Sequence, residues 1–257
     1  SEAEARWGQV LTFSAGVRHD APDGYDAETT ARAMLGLELF GPAWRPYVSW
    51  SESFKLPSLF ALGNPLVGNP DLRPERAESI EFGFAVAPAA LPATLRLAAF
   101  TTRYRDLVDF DPARFINVNR DRVKTHGGEV EVGWQAGATA RVTAAYTYTR
   151  FDIEPGGGQL RRRPRHKGVV NAEFALDDDW RAVATVIVVG AATDASIATG
   201  QVRLAGYELL NLATTRRLAA AWELGLALRN LLDQRFEETV GVPDPGLSFR
   251  ADLRYSF

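Results

Sequence analysis

Hydrophobic and polar residues alternate along most of this chain. In 129–135, Val130, Val132 and Trp134 take one parity, and Glu129, Glu131 and Gln135 take the other. In 141–149, Val142, Ala144, Tyr146 and Tyr148 oppose Arg141, Thr143, Thr147 and Thr149. Trp222, Leu224, Leu226 and Leu228 oppose Glu223, Gly225 and Arg229, and similar patterns run through 11–17, 32–39, 79–86 and 169–176. A period of two is that of an extended strand, whose side chains point alternately to two faces. The pattern predicts about twelve strands and no amphipathic helix. Segment 179–193 is apolar on both parities, and 95–108 is irregular enough to suggest a bulge.

The connections between these strands are of two kinds. Short ones fall near 41–43, 87–92, 136–138, 177–179 and 217–219; long ones occupy 19–29, 52–74, 109–121, 152–164, 192–203 and 232–246. They alternate, long then short, so an up-and-down arrangement collects all the long loops at one end. Outer-membrane barrels have this form, with tight periplasmic turns and long outer loops.

Five of the six tryptophans, Trp7, Trp44, Trp134, Trp180 and Trp222, stand near a short turn or the chain start; Trp50 does not. Indole combines an apolar body with a polar N–H and prefers the headgroup level of a bilayer. These five are expected to form a girdle at a periplasmic rim. The final residues, Phe249 to Phe257, put Phe249, Ala251, Leu253, Tyr255 and Phe257 on one face and Arg250, Asp252, Arg254 and Ser256 on the other. That suits a wall with lipid on one side and water on the other.

Composition narrows the function classes. Apolar residues at 46% and charged residues at 24% exclude a disordered chain. A net charge of -3 with scattered basic residues gives no reason to expect nucleic acid. The absence of cysteine excludes disulfides, thiolate metal sites and cysteine nucleophiles. The longest apolar run, 183–192, is about half a helical membrane span, which leaves a β-barrel as the only membrane-spanning form.

Several motifs occur in a defined order. Phe54-Lys55-Leu56-Pro57-Ser58-Leu59 precedes Asn69-Pro70-Asp71-Leu72-Arg73-Pro74-Glu75. Asn119 through Gly128-Glu129, Arg162-Arg163-Pro164-Arg165-His166, Gly206-Tyr207 with Asn211-Leu212, Arg229-Asn230-Leu231-Leu232-Asp233, Gly241 to Gly246 and Tyr255-Ser256-Phe257 follow. This ordered set resembles the C-terminal half of TonB-dependent outer-membrane receptors, within the subgroup that imports vitamin B12 and related iron–siderophore complexes. The pattern departs from the family at Leu247, where arginine is usual.

The resemblance implies an antiparallel transmembrane β-barrel in the bacterial outer membrane. The family barrel has about 22 strands and encloses an N-terminal plug. Residues 1–257 are then expected to be a partial barrel domain holding about twelve of them, with the plug and the TonB-binding segment present only in the full-length receptor. It also implies a siderophore or cobalamin ligand, contact with outer-membrane lipid and lipopolysaccharide, and assembly by the barrel-assembly machinery through Leu253, Tyr255 and Phe257. A self-contained twelve-stranded pore, such as an autotransporter translocator domain, is the alternative reading. An outer-membrane hydrolase and a soluble β-sandwich are the others.

Catalytic and metal chemistry finds no support. His19, His126 and His166 are too dispersed for a local metal motif, and no nucleophile motif or phosphate loop is present. No cofactor is expected. Gly156-Gly157-Gly158 reads as a loop tip and Asp177-Asp178-Asp179 as a polar hairpin turn. Arg161, Arg162, Arg163 and Arg165 form the densest positive patch, able to attract an anionic chelate or lipid phosphate, although solvated loop charge is the simpler account. If the terminal aromatic is read during assembly, Phe257→Ala lowers the amount of receptor reaching the outer membrane, measured by membrane fractionation. Unchanged insertion removes that role.

Overall fold

The computed structural model describes residues 2–8, 10–39, 43–111, 113–154, 160–196 and 198–257. Its elements are β1 (Glu2–Trp7), β2 (Leu11–Asp20), β3 (Glu28–Leu37), β4 (Trp44–Lys55), α1 (Leu59–Gly63), β5 (Glu75–Val86), β6 (Ala93–Asp111), β7 (Ile116–Ala136), β8 (Ala140–Glu154), β9 (His166–Ala175) and β10 (Trp180–Val189). They continue as β11 (Ala192–Ser196), β12 (Gly200–Leu204), β13 (Tyr207–Ala219), β14 (Trp222–Arg229), β15 (Glu237–Thr239), β16 (Val242–Pro243) and β17 (Ser248–Tyr255). Thirteen of the strands form one antiparallel sheet in the order β1 to β10, β13, β14, β17. The hairpins β11–β12 and β15–β16 are separate two-stranded sheets inside long loops. Strands β1 and β17 are the edges, and no pairing joins them among the described residues.

Directly opposed residues in a ladder share a face, so the registers show which side chains lie together. One row runs Trp44, Val86, Leu95, Val132, Ala144, Val170, Val186, Leu210. A second runs Ala93, Trp134, Val142, Ala172, Ala184, Leu212, Leu228, Phe249. The same parity carries Leu11, Phe13, Leu35, Val48, Phe82, Leu97, Leu226 and Leu253. This face is apolar across the whole sheet and largely uncovered, with Phe82 at 58% and Leu253 at 58% exposure. The opposite parity collects Arg18, Arg32, Glu81, Glu129, Glu131, Arg141, Glu173, Glu223, Arg229, Arg250, Asp252 and Arg254. There Tyr47 donates to Glu81 at 2.6 Å and Arg32 pairs with Glu2 at 2.7 Å.

The first row starts at the short-turn end of β4 and finishes near the long-loop end of β13. Seven interstrand steps of about 4.8 Å, set against the nine residues from Leu210 to Ala219 at about 3.3 Å each, give a tilt of roughly 40°. That is the tilt of strands in a barrel wall.

The buried hydrophobic side chains are confined to one end. Ala61, Leu72, Phe110, Val123, Leu160, Ala195 and Tyr207 are the buried hydrophobic side chains, and all lie at the long-loop end. Away from that end, no protein layer packs on either face of the sheet among the described residues. Accordingly, the solvent-accessible surface is 16926 Å², against about 11,000 Å² for a compact globular chain of this mass.

Several connections differ from the pattern-based expectation. Residues 109–121 are mostly strand where described: β6 and β7 form a long hairpin with a turn at 113–115. The loops at 192–203 and 232–246 contain the hairpins β11–β12 and β15–β16, and 52–74 contains the end of β4 and α1. Above a membrane both faces of a strand can be polar, so alternation no longer marks it. The extra sheet strand is β1, whose Glu-Ala-Glu-Ala pattern is weakly apolar. The irregularity in 95–108 is a break at Asp106, φ 57°, with the same register on either side. Residues 40–42 and 155–159, including Gly156-Gly157-Gly158, lie outside the described residues.

Gly127 is required by close packing: an added Cβ would sit 2.0 Å from the Tyr148 carbonyl oxygen. Gly36 has no atom within 4 Å of that position. Gly127→Ala therefore lowers stability by about 1–3 kcal/mol, whereas Gly36→Ala leaves the denaturation midpoint nearly unchanged, as measured in urea.

Candidate functional site

At the long-loop end the polar face is roofed by loops, and the sequence motifs meet there. Segment 56–74 crosses the β6–β7 hairpin, carrying α1, whose Ser58 Oγ accepts from the Ala61 N–H at 3.1 Å. Asn69 Nδ2 donates to the Asn117 carbonyl at 2.9 Å, and the Asn117 N–H donates to the Val67 carbonyl at 2.9 Å. Asn119 Oδ1 accepts from the Arg73 N–H at 2.9 Å while its Nδ2 donates to the Arg73 carbonyl at 3.0 Å. The two motifs that begin at Asn69 and Asn119 are one hydrogen-bonded unit. A second unit is built on Asn230, at φ 52°, whose N–H donates to Asn211 Oδ1 at 2.9 Å. Asp233 Oδ1 accepts from the Leu247 N–H at 2.9 Å, a main-chain contact that does not depend on the side chain at 247.

The four arginines part company in the fold. Arg161 is held between Asp109 at 3.7 Å and Asp194 at 4.0 Å, with its guanidinium 4.8 Å from the centre of the Phe110 ring. Asp194 is 1% exposed, and its Oδ2 accepts from the Val240 N–H at 2.9 Å. Arg120 reaches Asp109 at 3.4 Å. Arg161 is therefore the centre of a clamp that ties loop 160–165 to the β6–β7 hairpin, to β11, and through Asp194 to the loop after β15. It is not solvated loop charge. Arg162, at φ 53°, donates to Thr239 Oγ1 at 3.2 Å. Arg163 and Arg165 are exposed and form no ion pair among the described residues. Asp194 and Asp109 had no motif to mark them; a lone aspartate in a loop carries no periodic signal.

Beneath the clamp lies a cavity of ≈ 660 Å³ on the polar face. Val169, Ile187 and Val189 form its floor, Arg162, Arg163 and Lys167 bring positive charge, and Glu237 and Glu238 bring negative charge. The Tyr207 hydroxyl donates to Glu238, and its ring stacks on Phe236 at 3.9 Å. The lining offers polar groups of either sign, and Tyr207 with Glu238 is its hydroxyl–carboxylate pair. His166 is outside this lining and stands on the other face of the sheet, with Tyr146 Oη 2.7 Å from its Nδ1. No cluster of metal-binding side chains occurs among the described residues.

The five tryptophans Trp7, Trp44, Trp134, Trp180 and Trp222 all fall on the apolar face at the short-turn end. Trp222 packs against Tyr255 at 4.9 Å, and Trp180 Nε1 donates to Thr214 Oγ1 at 2.6 Å. Leu253 and Tyr255 share that face, and Phe257 follows beyond the end of β17.

The family model described as "TonB dependent receptor-like, beta-barrel" matches residues 1–231. The chain belongs to this family. Its members are non-catalytic transport proteins of the outer membrane. The vitamin B12 transporter BtuB of Vibrio cholerae is 25% identical over 261 residues, covering 98% of this chain and 41% of the relative. The copper transporter OprC superposes with a TM-score of 0.80 at 16% identity, covering 100% of this chain and 47% of that one. The siderophore receptor PirA from Acinetobacter baumannii gives a TM-score of 0.80 at 15% identity, covering 100% and 45%. This TonB-dependent receptor-like chain thus spans about two fifths of the length of the curated relatives it matches.

Arg161→Ala leaves the Asp194 carboxylate buried without its cation, which is costly. Hydrogen exchange and limited proteolysis should then show loosening of loops 160–165, 190–206 and 230–247 with the sheet protected. Arg163→Ala should leave the same loops unchanged.

Proposed function

We propose that this chain forms a barrel wall and outer loops of a TonB-dependent receptor that takes up vitamin B12 or an iron–siderophore complex across the outer membrane. The observation that carries the reading is the apolar face continuous over thirteen strands, with five tryptophans at one level. Lipid on that face leaves the charged parity to line the interior, and the roofed cavity then opens toward the outside medium. Trp7, Trp44, Trp134, Trp180 and Trp222 mark the periplasmic interface, and Leu253, Tyr255 and Phe257 serve assembly. Two unpaired edges support completion of the wall by further strands, since open edges invite pairing. A plug inside and TonB beneath would supply the energised step in the full receptor.

The cobalamin and siderophore readings draw on named relatives of both kinds, and OprC shows that the same wall accompanies a copper transporter. Arg163 and Arg165 are the arginines of the patch left to meet an anionic ligand.

Adjacent positions test the reading. Ala144 lies on the apolar face opposite Val132 and Val170, and Ala145 on the other face opposite Glu131 and Val169. In a membrane an arginine at Ala144 costs about 2–4 kcal/mol near the midplane. Ala144→Arg should therefore remove the receptor from the outer membrane and abolish TonB-dependent accumulation of labelled cobalamin or ferric siderophore. Ala145→Arg should leave its membrane level intact. Normal insertion of Ala144→Arg rejects the membrane reading; accumulation of both ligands that is indifferent to the protein rejects the uptake reading.

A further inference from the structure

The ladder between β3 and β4 stops early. Its last pair at the long-loop end is Arg32 with Ser51. Yet β3 stays paired to β2 as far as Glu28, and β4 to β5 as far as Lys55. Residues 28–31 and 52–55 therefore face each other across a gap, four residues on each side. At the strand rise that is about 13 Å. At that end, no other junction of the sheet leaves more than one residue unpaired on both strands among the described residues.

Side chains hold the margins of the gap. Glu52 Oε2 accepts from the Ala31 N–H at 3.2 Å, a carboxylate standing where the partner strand's carbonyl would be. Farther up, Arg76 of β5 reaches across β4 to pair with Glu28 of β3. The ladder closes the gap below and an ion pair closes it above, which makes it a window in the wall. Each side opens into a cavity. Arg18, Asp20 and Arg32 help line ≈ 1020 Å³ on the polar face. Thr29, Arg76 and Glu78 help line ≈ 300 Å³ on the other. Thr30, Glu52, Ser53 and Phe54 line both, so the two cavities meet at the window.

Height identifies what passes. Ser51 stands seven residues above Trp44 on β4, and Lys55 eleven. At about 3.3 Å per residue and a tilt of roughly 40°, the window runs from about 18 to 28 Å above the tryptophan level, against an apolar band about 25 Å tall. Its lower part opens among acyl chains and its upper part at the outer headgroups. Unpaired backbone groups are costly in hydrocarbon, so the window favours an occupant that brings polar groups to it. The inner cavity offers charge of both signs, whereas Val17, Ala33, Trp50 and Ile80 beside and below the window on the outer face are apolar. A molecule polar at one end and apolar at the other satisfies both surroundings.

We propose that the β3–β4 window is a lateral entry from the outer leaflet for an amphiphilic iron chelate, one with a polar chelating head and a single acyl chain. The head lodges against Arg18, Arg32 and Glu52 while the chain lies along Val17 and Ala33. Two side-chain contacts hold the window's margins in place of a ladder, so few bonds resist its widening. The proposal rests on the membrane orientation and the uptake reading given above.

The test uses full-length receptor in outer-membrane vesicles and an iron-loaded hydroxamate with a long acyl chain and a photoreactive diazirine on its head. The same hydroxamate carrying an acetyl group in place of the chain is the control. Peptide mass spectrometry maps the adducts. Thr30 and Ser53 would oppose each other if the ladder continued, so a disulfide in T30C/S53C closes the window, and this chain has no cysteine of its own. The acylated probe should label the peptides of Arg18 and Arg32 in the reduced variant and lose that labelling on oxidation. The acetyl probe should behave alike in both states. Should the disulfide not form, Thr30→Trp fills the window and is compared with the wild type. Equal labelling by the acylated probe with the window open and closed overturns the proposal. A loss shared by the acetyl probe also overturns it, because the route is then not one for amphiphiles. A second acylated probe, with the diazirine at the chain end, separates the two levels. Adducts at Val132 and Leu226 without head labelling at the window reject the window alone. No adducts at Val132 and Leu226 reject the orientation and the window with it.

Discussion

The structure depends on the backbone ladder. Every interior strand of the thirteen-stranded sheet pairs with a neighbour on each side, so most of its N–H and C=O groups are satisfied without water. That is the condition for crossing hydrocarbon with strands. Once it is met, the apolar face needs no second layer, and none packs on it among the described residues. An apolar face of this extent on a water-soluble monomer would far exceed the patches such proteins carry. On the proposed membrane reading, lipid is the solvent that makes the exposed Phe82, Val132 and Leu253 favourable.

Conventional burial is moved to one end. The loops fold back on the polar face and are joined less by apolar packing than by asparagine and aspartate side chains bonded to main chain. Asn119 holds both the N–H and the carbonyl of Arg73, Asn211 accepts from the Asn230 N–H, and Asp194 accepts from the Val240 N–H beside the Arg161 guanidinium. These bonds satisfy backbone groups that have left the ladder, which buried loops must do somehow. The cavity below keeps a defined shape because its roof is pinned at several points.

What could be read beforehand follows physical range. Alternation is local, and the face of Val142, Tyr146, Leu226 and Leu253 was legible from neighbouring residues alone. So was the level of Trp134 and Trp222, because a short turn lies within a few positions of each. The hairpin at 109–121 was read as loop because its residues stand above the apolar band, where nothing enforces a polar–apolar rhythm. β1 escaped notice because alanine is a faint hydrophobe. Arg161 looked like free charge, since its partners Asp109 and Asp194 are far off in sequence and arrive only with the folded loops.

The sequence by itself determined strand class, the apolar side of each strand, and the order of motifs that marks the family, since each is written in spacings of a few residues. Tertiary structure alone decided which charges meet. Registers accumulated over many strands bring Arg161 between two aspartates and set Arg103 against Lys124. Those pairings depend on tilt and on the exact stacking of hairpins, and a long-range sum of that kind leaves no periodic trace in the chain.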